Sequence, residues 1–91
     1  MTDAAAHIVV KGLVQGVGFR FFVYNLGIKL GLRGYVTNLS NGDVAVTAEG
    51  HRSSIEELIK ELKIGPRAAH VADLRIEWQI PEYRFDTFSV R

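Results

Sequence analysis

The sequence predicts an α+β fold in which two helices lie on one face of an antiparallel sheet. Two segments repeat their apolar residues at helical spacing, and several others are short and rich in β-branched or alternating apolar residues. An Asn-Gly pair stands between two of the strand-like segments, and this pair favours a tight β-hairpin. The segments on either side of it are therefore expected to pair antiparallel.

The first half of the chain predicts a strand, a helix and a hairpin. Residues 7–14, HIVVKGLV, are rich in β-branched side chains and form the first predicted strand. The apolar residues that follow fall on one helix face: Phe19, Phe22, Val23, Leu26 and Leu30. Gly31 is in the usual position for a glycine that ends a helix. Strands over 34–39 and 43–49 come next, joined by the turn at 40–42.

The second half predicts another helix and two more strands. Residues 53–57, SSIEE, contain two overlapping capping boxes, and residues 55–62 carry an apolar stripe at i, i+3, i+4 and i+7. Gly65-Pro66 ends this helix. Residues 70–78 alternate apolar and polar side chains, and residues 85–90 form a short last strand.

The order β-α-β-β-α-β, with a short C-terminal addition, is that of a ferredoxin-like sandwich with the spatial strand order 4-1-3-2. The sequence does not decide where the last short strand pairs. Residues 1–91 are expected to form a single domain, because this length buries one modest core. Residues 1–6 are expected to be a flexible tail.

Composition argues against several classes of function. The formal net charge of +1 provides no basic field for nucleic acid or an anionic membrane. No stretch predicts a secretory signal or a membrane span, so the predicted compartment is the cytoplasm. The chain has no cysteine, and its three histidines lack the spacing of metal ligands. We therefore expect no disulfide, no cysteine nucleophile and no metal site.

A glycine-rich loop joins the first strand to the first helix within residues 12–23, GLVQGVGFRFFV. Gly16 and Gly18 tolerate the dihedrals that turn backbone N–H groups inward to form a nest. The loop opens into a helix N-terminus, and Arg20 adds a planar fork of donors that matches two phosphate oxygens. These features predict a site for a small tetrahedral oxyanion.

Other phosphate-binding loops fit this segment less well. A Rossmann fingerprint would need a third glycine where Phe21 stands, and the Gly-Lys-Ser/Thr of a Walker loop does not occur. Residues 14–20 have the Cys-x5-Arg spacing of cysteine-dependent phosphatases, but Val14 replaces the cysteine. A covalent phospho-enzyme is not expected, and water is the expected attacking group.

The chain resembles the acylphosphatase family over almost its whole length. Residues 12–23 look like the phosphate loop of that family, and residues 30–50, LGLRGYVTNLSNGDVAVTAEG, look like its second signature. Residues 65–78 and 85–90 are similar to its fourth strand and its tail. The resemblance implies an enzyme that hydrolyses acyl phosphates to carboxylate and inorganic phosphate without metal or cofactor.

The resemblance also implies roles for particular residues. The essential arginine of the family falls on Arg20, and its water-orienting asparagine falls on Asn38. The backbone amides that would hold the phosphate are those of Gln15, Gly16, Val17, Gly18, Phe19 and Arg20. No residue evidently recognises the acyl group, so we expect broad acyl tolerance. Inorganic phosphate or sulfate is expected to compete for the phosphate site. A monomer is expected for a family of this size. Gly27 stands where alanine is more usual, at a cost of about 1 kcal/mol in helix propensity.

Two other functions are alternatives to a free-standing enzyme. RNA-recognition modules share this fold but stack bases on aromatic residues of the third strand, and residues 43–49 contain none. A non-catalytic or regulatory domain that binds phosphate or carbamoyl phosphate is the second alternative. Acylphosphatase-like domains of this kind in hydrogenase maturation factors commonly have proline after the Phe-Arg pair, where this chain has Phe21. A free-standing enzyme is the favoured interpretation.

Overall fold

The computed structural model describes residues 2–91, in which two helices pack on one five-stranded sheet. The elements are β1 (Asp3–Leu13), α1 (Phe19–Lys29), β2 (Arg33–Asn38), β3 (Val44–His51), α2 (Arg52–Ile64), β4 (His70–Gln79) and β5 (Phe88–Val90). Their order confirms the predicted βαββαβ arrangement with an additional C-terminal strand. Within residues 2–91 no helix is long and apolar enough to cross a membrane.

The strands lie in the order β4-β1-β3-β2-β5, which confirms the predicted 4-1-3-2 and settles the place of the last strand. β1 pairs antiparallel with both β3 and β4, and β3 pairs antiparallel with β2. β5 pairs parallel to β2, with Gly34 opposite Phe88. Just beyond β5, the Arg91 N–H donates to the Val36 carbonyl at 2.8 Å. The end of the described chain is thereby held beside β2.

The prediction of a flexible tail over residues 1–6 is wrong for the part that the structure describes. β1 begins at Asp3, and residues 4–6 are buried and paired with residues 48–50 of β3. Alanine is depleted in strands, so this run gave no strand signal in the sequence. It becomes a strand because β3 extends to His51 and its backbone needs a partner there. Met1 lies outside the described residues.

The core lies between the helices and one face of the sheet. Alternate strand residues point toward it because successive side chains in a strand face opposite sides. Its largest fully buried side chains include Ile8, Val10, Phe19, Val23, Val44, Val46, Ile55, Leu58, Leu62 and Phe88. Phe19 and Val14 belong to this core and flank the glycine loop, so the ends of the loop are fixed by packing.

The predicted end of α1 is confirmed, whereas the predicted start of α2 is wrong. α1 ends as predicted, with hydrogen bonds from Gly31 to the Ile28 carbonyl and from Leu32 to the Gly27 carbonyl, at 3.1 and 2.9 Å. The predicted capping boxes of α2 are wrong, because the N-cap residue is His51 and no side chain caps the helix. β3 runs directly into α2, so residues 53 and 54 already lie inside the helix.

The predicted hairpin between β2 and β3 is present. The Leu39 N–H donates to the Asp43 carbonyl at 2.8 Å, and the Gly42 N–H donates to the Leu39 carbonyl at 3.2 Å. The Asp43 carboxylate, on the far side of the turn, pairs with Lys11 of β1 at 2.8 Å. Asn38, the last residue of β2, is thus followed at once by a hydrogen-bonded turn.

Candidate active site

The loop between β1 and α1 has the backbone conformation that its glycines predict. Gly16 and Gly18 have φ angles of 74° and 76°, and Gly18 is the N-cap residue of α1. A Cβ atom built on either residue would meet no atom within 4 Å. Conformation rather than lack of space therefore favours glycine at these two positions.

The loop and the start of the helix present a row of unused hydrogen-bond donors. Within residues 2–91, no protein group accepts a hydrogen bond from the backbone N–H groups of residues 15–20. The first bond of α1 runs from the Phe22 N–H to the Gly18 carbonyl at 3.1 Å. The first N–H groups of a helix also carry the positive end of its dipole. These donors favour an anion at this point.

A small cleft of about 110 Å³ lies beside these donors. Its lining combines the loop, the first turn of α1 and the end of β2: Val14, Gly16, Gly18, Phe19, Arg20, Phe21 and Asn38. One water takes up about 30 Å³ of liquid, so the cleft suits a small anion rather than a nucleotide. The lining includes neither a carboxylate nor an imidazole, so it offers no evident general base.

Arg20 contacts the main chain of Arg91. Its Nη1 donates to the main-chain oxygen of Arg91 at 3.0 Å. Arg91 in turn places its own guanidinium 3.9 Å from the ring centre of Tyr35 on β2. Among residues 2–91, no carboxylate side chain lies within 4.0 Å of the Arg20 guanidinium. A guanidinium has five N–H donors, so the contact with Arg91 leaves donors of Arg20 for an anion in the cleft.

Asn38 reaches the cleft from the opposite side. It closes β2, is exposed, and pairs through its backbone with Val44 of β3. Within the described part of the chain its carboxamide makes no hydrogen bond. A free carboxamide at the edge of an anion site can accept a hydrogen bond from a water molecule and orient it. Of the predicted site residues, five line this one cleft, and Gln15 and Val17 are not part of its lining: the five are Gly16, Gly18, Phe19, Arg20 and Asn38.

Comparison with known proteins agrees with this geometry, since the sequence model of the family described as "Acylphosphatase" matches residues 6–90. The chain belongs to the acylphosphatase family. The acylphosphatase of Syntrophotalea carbinolica is 49% identical over 91 residues, covering 100% of this chain and 99% of that protein.

Solved acylphosphatases have the same fold. The Bacillus subtilis acylphosphatase superimposes with a TM-score of 0.93 at 32% identity, covering 97% of this chain and 98% of that one. The Coxiella burnetii acylphosphatase gives a TM-score of 0.92 at 40% identity, covering 98% of this chain and 93% of that one. The likeness therefore extends over the whole fold rather than over the loop alone.

One contact that Gln15 makes in this acylphosphatase fold is not predictable from the sequence. Only its backbone amide was predicted to matter, but its side-chain Nε2 donates to the carbonyls of Leu39 and Asp43, at 2.7 and 2.8 Å. The contact of Arg20 with Arg91 was also missed. Both join residues far apart in the chain, and no local pattern in the sequence signals them.

Three larger clefts, of about 490, 450 and 320 Å³, lie elsewhere on this acylphosphatase fold. The first is lined in part by residues 79–85, the second lies along β4, and the third is lined by residues of β1 and β4. None of the three contains a predicted site residue. Among residues 2–91, no group of three His, Cys, Asp or Glu side chains could hold a metal ion. The predicted catalytic residues, Arg20 and Asn38, both line the small cleft.

Proposed function

We propose that this chain is an acylphosphatase that hydrolyses the carboxyl–phosphate bond of acyl phosphates by direct attack of water, without a phospho-enzyme. Acylphosphatase activity is supported by the family match over residues 6–90 and by the relative of that name along the whole chain. The observation that supports the mechanism is the row of unused N–H donors beside Arg20 and Asn38 in one cleft. No observation favours a non-catalytic or regulatory phosphate-binding role.

The phosphoryl group would be bound by the loop and by Arg20. The N–H groups of residues 15–20 and the start of α1 would surround its oxygens. Arg20 would donate two parallel hydrogen bonds from its planar guanidinium to two of these oxygens. Phosphoryl transfer passes through a loose transition state, so positioning and charge stabilisation supply most of the catalysis. Donors that are fixed in place before the substrate binds would need little rearrangement during the reaction.

The attacking water would be oriented by Asn38. The water oxygen forms the new P–O bond as the bond between phosphorus and the carboxylate oxygen breaks. The carboxylate leaves without needing a proton. Since the lining offers no carboxylate or imidazole, we assign the water's proton to a phosphate oxygen of the substrate. Val14, buried at the start of the loop, has no nucleophilic atom to form a phospho-enzyme.

The finer properties of the enzyme are also proposals. The cleft recognises a phosphate, so we propose broad acyl tolerance and competition by inorganic phosphate or sulfate. We further propose a metal-independent, cofactor-free monomer that consists of one domain and works in the cytoplasm. The low net charge of +1 supports the absence of nucleic-acid and membrane partners.

Arg20→Ala and Asn38→Ala should affect the reaction differently, and this tests the proposed function. Arg20→Ala should weaken inhibition by phosphate and lower kcat on one acyl phosphate by about 10²-fold. Arg20→Lys should restore little of the kcat and of the phosphate inhibition that Arg20→Ala loses, because a point charge cannot reproduce two parallel hydrogen bonds. Asn38→Ala should lower kcat while leaving phosphate inhibition nearly intact.

The controls are Arg67→Ala and Asn25→Ala, which remove exposed side chains of the same types outside the cleft. Both should retain wild-type kinetics, and thermal melting should show that every variant folds. If Asn38→Ala lost phosphate inhibition as completely as Arg20→Ala, then Arg20 and Asn38 would not have the separate roles of binding phosphate and orienting water. A kcat of Asn38→Ala equal to that of the wild type would show that Asn38 has no role in the reaction.

A further inference from the structure

We propose that the side chain of Gln15 is a positioning residue that fixes Asn38 relative to the phosphate loop. The inference rests on the proposed function, because the residue acts through the water that Asn38 orients. Gln15 is not among the residues that line the cleft. Its carboxamide instead holds the turn between β2 and β3, which begins immediately after Asn38.

The carboxamide of Gln15 is matched to two carbonyl acceptors in that turn. Nε2 lies 2.7 Å from the Leu39 oxygen and 2.8 Å from the Asp43 oxygen. A primary amide has two N–H donors, so each carbonyl can receive one. The Asp43 oxygen also accepts the Leu39 N–H at 2.8 Å, which makes one connected network. Both ends of the turn are therefore attached to a single loop residue.

No other hydrogen bond within residues 2–91 joins the loop at 14–18 to the turn at 39–43. Lys11 and Asn41 also contact Asp43, but they bind its carboxylate and neither belongs to the loop. The distance between the phosphate site and the turn is thus set by Gln15 and by packing. The backbone of Gln15 is itself part of the donor row, so the residue connects both halves of the site.

Asn38 depends on this connection because its own side chain is not held. Its carboxamide makes no hydrogen bond in the described chain, and its last strand pairing is with Val44. Beyond that pair, the backbone passes directly into the turn that Gln15 holds. A displacement of about 1 Å in a group that positions a reactant can cost about 10²-fold in rate. Release of the turn should therefore lower turnover without removing a phosphate contact.

The test is a double-mutant cycle of Gln15→Met with Asn38→Ala. Methionine has a similar length and no donor, and the backbone amide at residue 15 is kept. Gln15→Met should lower kcat about tenfold, while the inhibition constant for inorganic phosphate should stay within about twofold. In the Asn38→Ala background it should lower kcat by less than about twofold, because the group that it positions is gone.

Gln79→Met is the matched control, since Gln79 is exposed on β4 and, within residues 2–91, its side chain hydrogen-bonds only to Glu77. It should keep wild-type kinetics. Hydrogen exchange at the Leu39 amide should become faster in Gln15→Met and stay unchanged in Gln79→Met, because only the former releases the turn.

Equal losses of kcat from Gln15→Met in both backgrounds would overturn the positioning role, as would unchanged kcat with weaker phosphate inhibition. An unchanged exchange rate at Leu39 would also overturn it, because the turn would not depend on Gln15. Absence of acyl phosphate hydrolysis by the wild-type protein would instead overturn the proposed function, and this role with it. The wild-type assay therefore separates the two failures.

Discussion

Gly27→Ala should destabilise the protein, although alanine is the better helix former. Gly27 is buried in α1, where replacement by alanine would gain about 1 kcal/mol of helix propensity. A Cβ atom at this position, however, would lie 2.6 Å from Cγ of Phe88 and 2.8 and 2.9 Å from its two Cδ atoms. Carbon atoms pack best at about 3.5–4.0 Å. The new methyl group would therefore overlap the phenyl ring by about 1 Å.

Neither side of this contact can yield easily. Phe88 is only 2% exposed, and its backbone pairs with Gly34 in the sheet. Extra methyl groups in a packed core cost about 1–3 kcal/mol, and this overlap is with the ring rather than with a flexible chain end. We take the upper part of that range and subtract the gain in propensity. The net loss of stability is then about 1–2 kcal/mol, or roughly 5–10 °C in Tm for a domain of this size.

Thermal unfolding of the wild type, Gly27→Ala and Asn25→Ala measures this effect. Asn25 is exposed on the same helix, so its replacement gains propensity without a clash and should raise Tm slightly. In a Phe88→Leu background, Gly27→Ala should cost less, because the ring that it meets is gone. A rise in Tm for Gly27→Ala like that for Asn25→Ala would refute the reasoning and show that helix propensity decides.

Two further predictions concern the loop after β4 and the absence of a metal requirement. Glu49→Ala should lower the free energy of unfolding by about 2–3 kcal/mol in a urea titration, because the buried Oε2 accepts the N–H groups of Glu82 and Tyr83 at 2.8 and 3.1 Å. A loss below about 0.5 kcal/mol would show that those amides find other acceptors. Excess chelator should leave kcat unchanged within about twofold, since no cluster within residues 2–91 could hold a metal. Strong inhibition that magnesium reverses would contradict the metal-free mechanism.

The fold was predictable from the sequence because its signals are local. The apolar periodicity of α1 and α2 and the Asn41-Gly42 turn determine the element order, and that order has few topologies. The errors occur where tertiary contacts override a local preference. Residues 4–6 are alanines that join β1 only because β3 runs alongside them, and Gly27 is favoured by a ring that is distant in sequence.

Some features of the site likewise follow from the local sequence, and others depend on tertiary contacts. The dihedrals of Gly16 and Gly18 follow from residue type, and the helix start that adds further donors follows from periodicity. The support of Arg20 by Arg91 could not be predicted, because it depends on β5 lying beside β2. The bonds from Gln15 to the turn likewise depend on the folded arrangement of two segments.

The strand order explains why a side chain is needed to join the two halves of this site. Val44, the first residue of β3, pairs with Val10 of β1 on one side and with Asn38 of β2 on the other. Adjacent strands are about 4.8 Å apart, so Asn38 lies about two strand spacings from β1, whose continuation is the phosphate loop. The start of β3 stands between them, and no direct backbone hydrogen bond can join β1 to β2 there. A long carboxamide in the loop can cross this gap and bind both ends of the turn, which is where the side chain of Gln15 is found.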